Sequence, residues 1–395
     1  MQRIEQAVIL AAGEGQRLRP FTAFKPKVMI PIGNKPILRY VIEAVAQNGI
    51  RNIAIVVGYK KEQVIDYFGS GKQFDVEIDY LEQPKQLGTG HALKQAKGKT
   101  ADKFLVLSGD NIIEPDTISS LLKMEPNTIL VKKQQENVFR YGVIETQDGV
   151  VTDIVEKSKE ALSHLVNTGI YTFTSEVFKL IEQENDLTSV IRNMIDRGHR
   201  IKTCETTATW LDVVYPWDIL KLNDLALANT SPAVGGTIEK GVTLKGLVSI
   251  GKGTIIRSNC YIVGPAIIGE NCEIGPSVCI LPSTSIGDNV CILPFTAITN
   301  SVIADGVEIG PSSTVQDSII DRNCRLKGHF VTQSGETEIR VEDGYQRVQI
   351  GAMMGEHCIA EDGVVIDPGV VVGNHCQIKA LRVLKESIPD ESLVV

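Results

Sequence analysis

A small-residue bend, Ala11-Ala12-Gly13-Glu14-Gly15, is followed by Arg17, Arg19, Lys25, Lys27 and Lys35, with Glu14 the one opposing charge, in a chain whose net charge is −8. Glycine lets a backbone approach a ligand closely, and successive N–H groups at the end of a strand can converge on phosphate oxygens. The chemistry this stretch could do is the binding of a phosphorylated ligand. Two common phosphate-binding patterns do not fit: Leu18 stands where G-x-G-x-x-G needs its third small residue, and G-x-x-x-x-G-K-[ST] is absent. Two carboxylates follow extended runs, Asp110 after Phe104–Gly109 and Asp212 in Trp210-Leu211-Asp212. Each could hold Mg²⁺, a hard cation that wants oxygen ligands and phosphate partners, or could simply cap a turn or helix. Residue type alone leaves both open. Gln83 offers a donor and an acceptor, as reading a pyrimidine edge requires, and a plain surface glutamine is the alternative.

These residues need elements to hold them. Ala7–Leu10 is short and apolar enough for a buried strand ending at the bend. Residues 37–47 place Ile37, Tyr40, Val41, Ala44 and Val45 on one helical face, with Pro36 in the first turn and Asn48-Gly49 as the stop. The alternation continues: Ile53–Val57 extended, Glu62–Phe68 helical, Val76–Leu81 extended, Gly90–Ala96 helical, Phe104–Leu107 extended. Strands alternating with helices imply an α/β fold with a parallel sheet covered on both faces, whose ligands sit beyond the carboxyl ends of the strands. His91 falls inside a helix and reads as structural. Further on, Gly142, Glu156 and Asn167 offer a backbone, a carboxylate and an amide that could bind sugar hydroxyls. Residues 217–228 read as an amphipathic helix closing a first domain at 1–228, and 229–236, with Ser231-Pro232 and a double Gly, as a linker.

From 237 to 384 the chain repeats. Ile268, Ile274, Ile280, Ile286, Ile292 and Ile298 are six apart, and the phase resumes at Ile303, Ile309 and Val315, breaks near 320–349, and returns at Met354, Ala360, Ile366, Val372, Ile378 and Leu384. Six residues of extended chain span about 20 Å, which suits a three-sided parallel β-helix. A narrow prism interior favours aliphatic side chains, which accounts for an aromatic content of 5%. Cys272, Cys358 and Cys376 take small inward positions and read as core. Residues 385–395 are left as a tail.

With 43% hydrophobic and 22% charged residues, the 395-residue chain reads as an ordinary soluble protein of two or three domains. No apolar run reaches about 18 residues and no signal-peptide pattern opens the chain, so the cytoplasm is the expected location and a membrane partner is not expected. The acidic balance argues against nucleic-acid binding. Eight cysteines without a CxxC pair argue against zinc and disulfide frameworks.

LAAGEGQRLRP, followed by Pro26-Lys27 and Lys35-Pro36, resembles the signature of the sugar-1-phosphate nucleotidylyltransferases, and the Gln83-to-Gly88-Thr89-Gly90-His91-Ala92 segment resembles the base-reading loop of N-acetylglucosamine-1-phosphate uridylyltransferases. The resemblance implies a Rossmann-like domain with a mixed, mostly parallel sheet. It implies catalytic roles for Arg17, Lys27, Asp110 and Asp212, with Mg²⁺ held by Asp110 and Asp212. Nucleotide binding would fall to Leu10, Ala11, Ala12, Gly13, Gln83, Gly88 and Thr89, and sugar binding to Gly142, Glu156, Lys157 and Asn167. UTP or dTTP and glucose-1-phosphate or N-acetylglucosamine-1-phosphate are the implied substrates. The second half resembles the left-handed β-helix of hexapeptide-repeat acyltransferases, and the whole resembles bifunctional uridylyltransferase–acetyltransferases. The flat faces of such a prism can pack against copies of itself, so a homo-oligomer, a trimer or dimer of trimers, is expected. At the acetyl-transfer positions of that family, however, Pro311 replaces the His, Thr314 the Tyr, Thr299 the Lys and Leu281 the Arg. Residues 350–378 keep the family's later coils, which leaves acetyl-CoA an open partner, and a non-catalytic regulatory subunit is a further alternative.

Overall fold

The computed structural model describes residues 4–134, 138, 141–156, 163–181, 184–341 and 344–395. The chain divides into two compact units. The first comprises residues 1–15, 24–30 and 36–212; the second comprises 16–23, 31–35 and 213–395.

The first unit is built on strands β1 (Gln6–Ala11), β2 (Asn52–Val57), β3 (Glu77–Glu82), β4 (Lys103–Ser108), β5 (Asn111–Ile113), β6 (Thr128–Lys133), β7 (Gly142–Gln147), β8 (Val150–Glu156), β9 (Leu165–Thr174), β10 (Lys202–Glu205) and β11 (Trp210–Asp212). Nine of these form one mixed sheet in the order β3-β2-β1-β4-β9-β6-β10-β8-β7. Its β3-β2-β1-β4 half is parallel, with Val8 opposite Ala54 and Val106, and antiparallel pairing enters through β9. Every residue of β1 after Gln6 is buried, as expected of a strand covered on both faces. Helix α1 (Ile37–Gln47) starts at Pro36 and stops at Asn48, where the expected signals stand. Helices α2 (Lys61–Phe68), α3 (Thr89–Lys94), α4 (Pro115–Ser119) and α5 (Leu187–Asp196) follow. The remaining pair, β5 and β11, forms a separate antiparallel ribbon in which Asp212 lies opposite Asn111.

The second unit is a left-handed parallel β-helix of three sheets with eight, nine and eight strands. The inward stack on one side runs Ile238, Ile256, Ile274, Ile292, Ile309, Leu326, Ala360, Ile378, Val394, each in register with the next. Burying each such side chain contributes roughly 1.5–3 kcal/mol. The break in the repeat is narrower than the sequence suggests. The phase continues through Ile320, Leu326 and Thr332, and the interruption is an antiparallel hairpin, Gly335–Val341 against Gly344–Ile350, projecting from one coil. Strands also reach beyond the expected boundaries: Ala233–Val234, in the linker, pairs with Ser249–Ile250, and Leu393–Val394, in the tail, pairs with Gln377–Ile378.

Helix α6 (Asp218–Ala228), expected to close the first domain, belongs to the second unit. The cause is polar as well as apolar. Asn223 is fully buried, its Oδ1 accepts the Gly33 N–H at 2.9 Å, and its Nδ2 donates to the Ser283 carbonyl at 3.0 Å. The expected inward cysteines are core: Cys272, Cys358 and Cys376 are buried, and each thiol donates to a carbonyl of the next coil, of Gly287, Gly373 and Pro389.

Candidate functional site

A cavity of about 240 Å³ opens beyond the carboxyl end of β1. Leu10, Ala11, Ala12 and Gly13 form one wall, Gln83, Gly88 and Thr89 another, and Lys27 and Asp110 reach it from a third side. This brings together the seven residues expected to bind a nucleotide. The sheet explains it: β1 and β4 are parallel neighbours, so the bend after Ala11 and the turn carrying Asp110 leave the same edge, tied by the Gly109 N–H donating to the Leu10 carbonyl at 2.8 Å.

Lys27 is the electrostatic centre. Its Nζ lies 2.5 Å from Asp110 Oδ2 and 3.5 Å from Asp212 Oδ1, with all three side chains about one-fifth exposed. Burial works against the ammonium charge, but Asp110 and Asp212 more than offset it and hold the group well above the ordinary lysine range. Asp212 reaches this point through the β5–β11 ribbon, which sets it across from the residue after Asp110. Asn111 is itself buried, and its Oδ1 has no hydrogen-bond partner among the described residues. The two carboxylates expected to bind metal thus converge on the Lys27 ammonium. Among the described residues no group of three or more His, Cys, Asp or Glu could hold a metal by protein ligands alone.

In the segment expected to read the base, Gln83 is buried rather than a surface residue. Its Nε2 lies 3.0 Å from the Gly88 carbonyl and 3.0 Å from His91 Nδ1. Gly88 is required here, since its φ is +128° and a Cβ would stand 2.4 Å from the Asn185 carbonyl oxygen. Thr89 opens α3 and its Oγ1 accepts the Leu187 N–H. The His91 contact was not foreseen, because a histidine inside a helix gives no sign of which side chain it faces. Gln86 and Ser108 also line the cavity and were missed; for Gln86 the signal was its place three residues after Gln83.

The sugar-binding candidates meet through strand register. Gly142 lies opposite Glu156, and Val143 is opposite Val166, the neighbour of Asn167. Asn167 donates from Nδ2 to the Tyr171 hydroxyl at 2.8 Å and accepts the Gly169 N–H on Oδ1, which fixes its amide. Lys157 lies outside the described residues, as does Ser158.

Arg17 belongs to the second unit and lines a cavity of about 530 Å³ there with Arg19, Tyr215, Trp217, Arg340 and Met353, where the Tyr215 and Trp217 rings stack at 4.8 Å. At the acetyl-transfer positions the structure holds Leu281, Thr299, Pro311 and Thr314 on or beside prism strands, while the exposed His357 and His375, one coil apart, stack at 5.1 Å.

A family model for nucleotidyl transferases matches residues 6–228, and one for the C-terminal domain of GMPPB matches 262–337. The chain is 36% identical to a protein named bifunctional protein GlmU from Methanococcus maripaludis, over 98% of this chain and 96% of that one. It is 35% identical to a protein of the same name from Methanocaldococcus jannaschii, over 98% and 97%. It is 32% identical to a bifunctional sugar-1-phosphate nucleotidylyltransferase/acetyltransferase from Sulfurisphaera tokodaii, over 94% and 95%. Among solved structures, a putative glucose-1-phosphate thymidylyltransferase from Bacillus anthracis superposes with a TM-score of 0.52 at 28% identity, covering 56% of this chain and 94% of that one.

Proposed function

Since the chain belongs to the nucleotidyl transferase family, we propose that it joins a sugar-1-phosphate to UTP or dTTP, giving a UDP- or dTDP-sugar and pyrophosphate. It is a sugar-1-phosphate nucleotidylyltransferase, and the acceptors proposed are glucose-1-phosphate and N-acetylglucosamine-1-phosphate. A phosphate oxygen of the sugar-1-phosphate attacks the α-phosphorus in line; the new O–P bond forms as the bond to the β-phosphate oxygen breaks, and pyrophosphate carries away that electron pair. Catalysis is then positioning and charge neutralisation, with no covalent enzyme intermediate. The observation that carries this reading is the Lys27 ammonium drawn between Asp110 and Asp212 at the wall of the cavity that Gly13 and Gln83 also line.

Lys27, kept charged by its carboxylate partners, would neutralise the α-phosphate. Nucleotidyltransferases generally use a divalent metal, and the cation-centred pair Asp110 and Asp212 fits Mg²⁺. Bound there, it would supply further positive charge to the reacting phosphates. Gln83 reads the base against the Gly88 backbone, and Gly142, Glu156, Lys157 and Asn167 take the sugar. For Arg17 the support is its place in the opening motif, as the candidate partner of the departing pyrophosphate. The reading is tested by a matrix of four nucleoside triphosphates against several sugar-1-phosphates with pyrophosphate release as readout. Release confined to UTP or dTTP with a hexose-1-phosphate is the expected result, and no release with any pair would overturn it.

A second activity, acetyl transfer to glucosamine-1-phosphate, draws support from relatives named bifunctional that match nearly the whole chain. Acetyl-CoA with that sugar and a free-thiol readout decides it. We propose a cytoplasmic location; no helix among the described residues is long and apolar enough to cross a membrane.

A further inference from the structure

We infer that His91 sets nucleobase selectivity by fixing which atom of the Gln83 amide faces the base. The inference rests on the reading of this cavity as the nucleotide site. Gln83 is a side chain that could present either a donor or an acceptor, so by itself it cannot distinguish uracil or thymine from cytosine.

Two neighbours remove that ambiguity. The Gly88 carbonyl can only accept, so the amide group 3.0 Å from it must be the NH₂. The second hydrogen of the same NH₂ points to His91 Nδ1, also 3.0 Å away, which must therefore be the unprotonated ring nitrogen, leaving the proton on Nε2. Both amide hydrogens are used inside the protein. That leaves the amide oxygen as the group Gln83, a lining residue, has to offer a base in the cavity.

An oxygen at that point accepts an N–H. Uracil and thymine carry an imino N3–H on the edge a glutamine reads, whereas cytosine carries a bare N3 lone pair there. Two acceptors facing each other in a buried site leave both unpaired, so CTP is used less well than UTP or dTTP. Turning the amide over to suit cytosine would set its oxygen against the Gly88 carbonyl and the His91 lone pair. The helix holds His91 in place for this, its backbone N–H donating to the Asn185 carbonyl at 2.9 Å. His91 is a positioning residue: it acts through Gln83 and does not need to touch the nucleotide.

The test is kcat/KM for UTP, dTTP and CTP with one sugar-1-phosphate, in the full-length enzyme and in three variants. His91→Asn keeps an acceptor near Nδ1, His91→Leu removes it, and His91→Lys supplies only donors. The wild type should favour UTP or dTTP over CTP by at least about tenfold, and His91→Asn should retain most of that ratio. His91→Leu and His91→Lys should narrow it about five- to tenfold, through a raised KM for the uracil or thymine nucleotide with kcat little changed, since base contacts are shared by ground and transition states. A ratio unmoved within twofold in both variants, or a wild type that prefers CTP, overturns the inference while leaving the transferase reading intact. No transfer with any nucleotide removes that reading and this inference with it. Circular dichroism screens each variant for folding, and a wild type that prefers CTP overturns the inference even if a variant misfolds.

Discussion

Lys27 stands 83 residues from Asp110 and 185 from Asp212 in sequence, and its ammonium is what makes the two acids one site. Lys27→Met should lower turnover by about 10²–10³, the usual loss when one preorganised charge donor at a reacting phosphate or oxyanion is removed, measured by pyrophosphate release. The same variant leaves two carboxylates facing one another without their cation. Mg²⁺ alone should therefore raise its melting temperature more than it raises that of the wild type, because a ligand that binds only the folded form stabilises it. Equal shifts would detach the metal from Asp110 and Asp212. The pH dependence has a definite sign. The Lys27 pKa is raised on folding above its ordinary 10.5, so its contribution to stability is fully present below that value and is lost only as pH rises through the higher folded value. The stability difference between wild type and Lys27→Met, followed by urea unfolding, should accordingly stay level from about pH 6 to 9 so far as this ammonium sets it. The opening bend and its cations were legible because glycines and lysines cluster locally. That Lys27 meets both acids was not, since a contact across such separations leaves no periodic trace, and the resemblance gave the three residues roles without this contact.

At the scale of elements, the ribbon of β5 and β11 has three residues in each strand, too short to stand out by alternation, yet it delivers Asp212 to the site. The six-residue repeat lies at the other extreme, because every coil must put an aliphatic residue on the same inward stack. Where it broke, the sequence overstated the damage. Leu326 and Ala360 are in register although 34 residues apart, and the 16 residues of 335–350 account for the excess over the 18 that separate Ile274 from Ile292. Because Gly335 and Ile350 are paired at its base, excising the hairpin and joining Ser334 to Gly351 should leave the prism intact, with a melting temperature within a few degrees of the wild type. Loss of the cooperative transition would mean that the hairpin holds the coils together. Helix α6 makes the complementary case. Its amphipathic pattern was readable, but the partner of its buried face was not, since Asn223, which ties it to Gly33 and Ser283, looks like any helical asparagine in sequence. Asn223→Leu would strand two backbone groups at about 1–3 kcal/mol each, seen as a lower urea midpoint.

For the whole molecule, the three sides of the prism differ in what they offer outward. One stacked outward column reads Thr243, Tyr261, Cys279, Ala297, Thr314, Val331, Val365, Val383, without a charge along its length. The adjacent nine-stranded sheet carries Glu273, Glu308 and Arg325 in the equivalent column, as a face meant for water does. The column is uncharged although the same face carries Lys245 at its first coil, and we propose that it meets a second copy of the same chain, a three-sided prism being suited to threefold closure. Sedimentation should then give a trimer or a dimer of trimers. Ala297→Glu, which sets a carboxylate in mid-column, should shift the protein to monomer, since closed symmetry repeats the buried charge at every interface. Nucleotidyl transfer should persist in that variant, because Lys27, Asp110, Asp212 and Gln83 lie in the first unit and Ala297 does not line the cavity of Arg17. A monomeric wild type would leave the uncharged column without a function, and loss of transfer on dissociation would show that the first unit depends on assembly.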